Sequence, residues 1–100
     1  MFNVFVSDTV WTKIEDLENH LINELKLSEI DALQRTNRMR LFLKSISQTV
    51  RYPLCRFKQW CTLGYRCAVF EKSWIFAYEE FDEGIIIRDM SHTALLKDVV

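Results

Sequence analysis

The apolar residues at the start of the chain occur at every second position, and this spacing predicts a short first strand. From Val10 to Leu25 the spacing changes to three or four residues, which places the apolar side chains on one stripe of an amphipathic helix. Ser7 or Asp8 is suited to cap its first turn, because a short polar side chain can accept hydrogen bonds from the free amides there. The alternating residues are Phe2, Val4 and Val6, and the stripe consists of Val10, Ile14, Leu17, Leu21 and Leu25.

A second helical pattern begins after Ser28 and extends to Val50. Ser28 followed by Asp31 has the spacing of a capping box, which predicts the helix start. Tyr52-Pro53 is predicted to end the helix, because the residue before a proline avoids helical geometry. The short connection between the two helices predicts an antiparallel helical hairpin.

Beyond Pro53 the apolar period becomes two, and aromatic and β-branched residues predict strands at 54–60, 65–71, 74–81 and 85–90. Short connections separate these segments, so they are expected to form an antiparallel meander. The predicted order is β-α-α-β-β-β-β, or an order with three late strands if 54–60 is irregular. We therefore expect residues 1–100 to form one α+β domain, with the first strand and the hairpin packed on a C-terminal antiparallel sheet.

Composition excludes several classes of protein. Hydrophobic residues make up 49% and charged residues 27% of the chain, which excludes bulk disorder, and two Gly exclude a glycine-rich phosphate loop. No apolar run approaches the roughly 18 residues that span a bilayer. Cys55, Cys61 and Cys67 form no Cys-x-x-Cys pair, so we expect three reduced thiols, a cytoplasmic protein, and neither a metal site nor a cofactor.

Charge is strongly segregated although the whole chain carries only −1. Residues 1–34 carry −5, residues 35–72 carry +8 with nine bases and one acid, and residues 73–100 carry −4. One interpretation is a basic surface for a polyanionic or acidic partner, with aromatic side chains that stack on bases. The other is that the cations pair with the acidic helix and the aromatics belong to the core. The excess of bases slightly favours the first. The aromatics concerned are Tyr52, Phe57, Trp60 and Tyr65.

Three segments near the C-terminus resemble the RelE/ParE toxin superfamily, small bacterial proteins that form the toxic half of toxin–antitoxin modules. They are Leu63-Gly64-Tyr65-Arg66, Trp74-Ile75-Phe76-Ala77-Tyr78 and Asp82-Glu83-Gly84-Ile85-Ile86-Ile87, and they lead to His92. His92 matches the histidine that closes the last strand in ParE-like members. The resemblance therefore implies a ParE-like toxin that acts on a macromolecular target such as DNA gyrase. It also implies a cognate antitoxin, whose acidic amphipathic segment would lie across the basic groove and the hairpin.

The match to the RNA-cleaving members of the superfamily is partial. Arg66 fills the first of two basic positions on the first motif strand, but Ala68 stands at the second, and Ile75 replaces an arginine of the next strand. A ribosome-dependent mRNA endonuclease would then have to use Arg66, Lys58 and His92 to stabilise charge on the phosphate and transfer protons. A non-toxic interaction protein of the same fold is a third hypothesis. The residues predicted to bind a target or antitoxin are Arg38, Arg51, Arg56, Lys58, Arg66, Lys72, Arg88 and His92.

Overall fold

The computed structural model describes residues 3–46 and 51–96, which form a helical hairpin on one face of a four-stranded sheet. The elements are β1 (Asn3–Val6), α1 (Asp8–Asn23), α2 (Glu29–Ser45), α3 (Lys58–Cys61), β2 (Arg66–Phe70), β3 (Trp74–Phe81) and β4 (Gly84–His92), followed by a 3-10 turn (Thr93–Leu95).

The predicted α+β architecture is confirmed. The strands lie in the order β1-β4-β3-β2, and β2, β3 and β4 form the expected antiparallel meander. β1 pairs with β4 in parallel, which makes the sheet mixed. The predicted strand at 54–60 is wrong, and the order with three late strands is correct. Leu54 makes only an isolated bridge to Arg66, and the chain then turns into α3 so that Trp60 is buried.

The helical hairpin follows the sequence pattern closely. The Ser28 hydroxyl accepts a hydrogen bond from the amide of Asp31 at 3.1 Å, which confirms the predicted cap of α2. Ser7 is the first residue before α1, but its hydroxyl donates to a carbonyl of β4 and caps no amide of the helix. α2 ends at Ser45, and its predicted extension falls on 47–50, outside the described residues.

Two hydrophobic clusters cover the two faces of the sheet. The main core lies between the hairpin and the sheet, and Ile14 and Phe76 are fully buried in it. The smaller cluster lies on the opposite face, where α3 and the segment before β2 cover the strands. Its buried members are Cys55, Trp60, Cys67, Ile75, Ala77 and Leu96.

A disulfide bond joins Cys55 to Cys67 within the smaller cluster. The amide of Cys55 donates to the Tyr65 carbonyl and that of Cys67 donates to the Pro53 carbonyl, so the two cysteines lie opposite each other. Their Cα atoms are 4.9 Å apart, within the range that a disulfide requires. The prediction of three reduced thiols is therefore wrong for these two, and Cys61 alone is a free thiol. A reducing cytoplasm consequently no longer follows from the cysteines.

Candidate partner-binding groove

A groove opens between the hairpin and the end of the sheet where β2, β3 and β4 meet. It consists of two adjoining depressions of about 340 and 360 Å³. Both depressions are lined by four shared residues, so they form one continuous surface. The shared residues are Leu17, His20, Trp74 and His92.

The sheet side of the groove is built by the pairing of β3 with β4. Trp74 begins β3 and His92 ends β4, and the two residues face each other in the register. Their ring centroids are 5.1 Å apart, with an interplanar angle of 82° that gives an edge-to-face contact. The imidazole Nδ1 of His92 accepts a hydrogen bond from the amide of Ala94 at 3.1 Å. These contacts hold the histidine ring at the start of the 3-10 turn.

The cations on the rim are mostly paired within the chain. Arg38 Nε lies 3.0 Å from a carboxylate oxygen of Glu71, and Lys13 Nζ lies 2.6 Å from one of Asp89. Arg35 also lines the groove and forms no ion pair with any described residue. The Arg38–Glu71 pair is exposed, and pairs of this kind contribute about 0 to 1 kcal/mol, so a carboxylate of a partner can replace Glu71. Lys13 is held more firmly, because its ammonium also donates to the Met90 carbonyl at 3.1 Å. The groove thus combines an apolar floor with two arginines, Arg35 and Arg38, that can bind carboxylates of a partner.

A second cluster of cations lies at the far end of the sheet and performs a structural task. Arg66 Nε is 2.5 Å and Arg51 is 2.8 Å from the same carboxylate oxygen of Glu80. Hydrogen bonds first from Arg51 and then from Arg66 hold the pKa of the Glu80 carboxyl below its usual range. Arg66 also donates to the Tyr52 carbonyl at 2.7 Å. The Tyr52 amide in turn donates to the Tyr78 hydroxyl. Burial raises the pKa of this hydroxyl. These contacts therefore hold Arg51 and Tyr52, which precede β2, against the sheet.

The three residues named for RNA cleavage are not brought together. Arg66 faces Tyr78 in the register and His92 faces Trp74, which lies four residues away along β3. At about 3.3 Å per residue, these positions are about 13 Å apart along the strand. Lys58 begins α3, which packs on the opposite face of the sheet.

The remaining predicted site residues are dispersed. Arg56 and Lys58 are exposed before β2, and neither forms an ion pair with a described residue. Lys72 lies in the turn between β2 and β3 with a φ of 64°, and Arg88 pairs with Glu79 at 3.1 Å. Of the eight predicted binding residues, Arg38 and His92 line the groove.

Most residues that line the groove carry no recognisable functional signal in the sequence. His20 was assigned no role, although it follows Leu17 by three residues and therefore borders the apolar stripe of α1. Trp74 was recognised only as part of a strand motif. In the described part of the chain, no group of three or more His, Cys, Asp or Glu side chains is placed to hold a metal ion. None of its helices is long and apolar enough to cross a membrane.

Comparison with known proteins gives a likeness at the level of the fold. No protein-family model matches the chain. No curated protein matches it either. Among solved structures, a chain of the chromosomal ParDE TA system from P. aeruginosa matches with a TM-score of 0.74 and 13% sequence identity, over 92% of this chain and 96% of that chain. The fold is ParE-like. The resemblance expected from the strand motifs is thus confirmed, and at this identity it establishes the fold alone.

Proposed function

We propose that this chain is the toxin component of a type II toxin–antitoxin module. In this proposal it inhibits growth by binding a macromolecular target, and a cognate antitoxin neutralises it. The observation that carries the proposal is the likeness to a chain of a ParDE toxin–antitoxin system, which extends over nearly the whole of both chains. The strand motifs ending at His92 support the same assignment from the sequence alone.

The groove between hairpin and sheet is the proposed antitoxin site. Its apolar floor suits the apolar face of an amphipathic segment, and Trp74 offers a large aromatic contact. Arg35 is free of ion pairs with described residues and is placed to meet an acidic side chain on that segment. A carboxylate of the antitoxin would replace Glu71 as the partner of Arg38, because that pair is exposed.

Inhibition of DNA gyrase by binding is the proposed mode of action, and RNA cleavage is the alternative. Arg66 already binds Glu80 and a backbone carbonyl, so its charge is not directed at a substrate. Ala68 and Ile75 are buried and apolar where the resemblance places cations. A phosphate in the course of cleavage requires several converging cations, which this arrangement does not supply.

Co-expression with the product of the neighbouring reading frame tests the module. Induction of this chain alone is expected to arrest growth, and the neighbour is expected to form a complex and restore growth. Absence of both effects would refute the proposal. Gyrase supercoiling assays and primer extension on cellular mRNA then separate the two modes. Codon-phased cuts in cellular mRNA on induction of the unaltered chain would establish cleavage in place of gyrase binding.

A pair of charge reversals tests the location of the antitoxin site. Arg35→Glu, in the groove, is expected to weaken antitoxin binding about tenfold, because one carboxylate contact becomes a repulsion. Arg56→Glu is the matched control, since it is exposed outside the groove. Isothermal titration calorimetry compares the two variants. Loss of binding in Arg56→Glu together with full binding in Arg35→Glu would place the antitoxin elsewhere.

A further inference from the structure

β1 is an edge strand of the sheet, and its outer side is not paired with any described segment. On its inner side, the amide of Asn3 donates to the Glu83 carbonyl at 2.8 Å, and the amide of Ser7 donates to the Ile87 carbonyl of β4 at 2.9 Å. Because backbone groups alternate in direction along a strand, Val4 and Val6 point their N–H and C=O groups away from the sheet. Within 3–46 and 51–96, no segment pairs with this edge.

An exposed aromatic pair lies beside the open edge. Val4 and Val6 pack against the main core, so Phe5 lies on the opposite face, where it is 51% exposed. The ring of Phe81 is also exposed and lies 6.0 Å from that of Phe5. Natural sheet edges are usually protected by a lysine, a proline or a bulge, and β1 contains none of these. The strand therefore has the features of a docking edge.

The charges around β1 define which partner fits. Asp82 and Glu83 precede β4 and lie at the start of β1, since the Glu83 carbonyl accepts from the Asn3 amide. Asp8 begins α1, two residues after the end of β1. All three carboxylates are exposed, and none pairs with a described cation. In an antiparallel dimer of two β1 strands, Asp8 of one copy would approach the acidic turn of the other, so like charges oppose self-association.

We propose that the outer edge of β1 binds an extended, basic segment of a partner polypeptide, which adds a fifth strand to the sheet. The segment forms backbone hydrogen bonds with Val4 and Val6, while its apolar side chains on one face contact Phe5, whose ring packs against that of Phe81 on the inner side. Its basic side chains meet the carboxylates at both ends of β1. This site is separate from the groove, because no groove-lining residue belongs to β1.

A ¹⁵N NMR titration with a synthetic octapeptide of alternating lysine and valine tests the site. Amide shifts are expected at Val4, Phe5 and Val6, and a peptide with glutamate in place of lysine is expected not to bind. Shifts confined to β2 or to the groove, equal binding of the acidic peptide, or no binding of the basic peptide would overturn the proposal. So would a free protein that dimerises through β1 in sedimentation experiments.

Three variants separate the edge from general charge effects. Phe5→Lys is expected to reduce affinity for the basic peptide at least tenfold. Val69→Lys, equally exposed at 51% but on β2 at the other sheet edge, is the matched control and is expected to leave affinity unchanged. The double variant Asp82→Asn/Glu83→Gln leaves the strand itself intact and is expected to weaken binding severalfold and reduce its salt dependence. Equal affinity in Phe5→Lys and the control, or in the double variant and the unaltered chain, contradicts the proposal.

Discussion

Replacement of Gly84 by alanine is expected to detach β1 from the sheet. A Cβ atom on Gly84 would lie 1.9 Å from the carbonyl oxygen of Asn3 and 2.7 Å from its amide nitrogen. These neighbours are backbone atoms, so no side-chain rotation relieves the overlap. Because Asn3 pairs directly with Gly84 in the parallel register, the first strand must move away.

The expected destabilisation follows from what β1 contributes. Val4 and Val6 are partly buried against the main core, and half-burial of a valine is worth about 1 kcal/mol. Detachment also breaks at least two backbone hydrogen bonds, at about 1 kcal/mol each. The free energy of unfolding should therefore fall by about 4 kcal/mol, a large part of the stability of a domain this small.

Gly64→Ala provides the control for this experiment. Gly64 has a φ of +74°, but a Cβ there meets no atom within 4 Å. Its replacement therefore carries only the cost of a left-handed backbone, about 1 to 2 kcal/mol. Urea denaturation measures both variants, and hydrogen exchange reports on the β1 amides. If Gly84→Ala proves no more destabilising than Gly64→Ala, or if β1 stays protected, the steric reasoning is refuted.

Three further changes test other contacts. Reduction of the Cys55–Cys67 bond should lower the free energy of unfolding in urea by about 3 kcal/mol, because the bond closes a loop of 12 residues in the unfolded chain. The control Cys61→Ser should leave it unchanged. Because the folded-state pKa of Glu80 is lowered, its carboxylate stabilises the fold above the unfolded pKa, and this contribution is lost as pH falls through the folded value. Glu80→Gln should therefore flatten the loss of stability between about pH 5 and pH 3 in acid titrations followed by circular dichroism. Thr36→Val should cost about 1 to 2 kcal/mol in thermal unfolding, because the buried hydroxyl donates a 2.5 Å hydrogen bond to a carboxylate of α1.

The elements that depend on local periodicity were predictable from the sequence. The stripe on α1 and the cap at Ser28 are local features. The cap is present, and the stripe is buried at Val10, Ile14 and Leu21, whereas Leu25 lies beyond the end of α1 and is exposed. The segment 54–60 was not predictable, because its course depends on a distant strand. Trp60 is buried against the sheet and Cys55 is bonded to Cys67, and these contacts override the alternating pattern. The parallel partner of β1 likewise lies about 80 residues away, beyond any local signal.

The candidate groove was predictable only in part, because two helices, three strands and the 3-10 turn contribute to it. Arg38 and His92 were identified from charge and from the family resemblance, and both line it. Trp74 and His20 acquire a role only when the hairpin packs on the sheet. The charge pattern left two interpretations open, and Arg40 supports intrachain pairing, since it binds a carboxylate of the acidic helix α1 at 2.9 Å.

The cations of residues 35–72 are of two kinds: some hold the fold together, and others have a partner that another carboxylate can replace. The Arg66 side chain is only 18% exposed and bonds to both Glu80 and the Tyr52 carbonyl, so removing it would take a hydrogen bond from a part-buried carbonyl. The Arg38 side chain is 55% exposed and its single carboxylate partner is 49% exposed, so a competing carboxylate can replace that partner at little cost. The family resemblance implies that Arg66 acts on a target, whereas the packing favours the cations at the groove rim as those that bind a partner. Partner binding should therefore depend on the cations around the groove, and the cations at the far end should affect mainly stability.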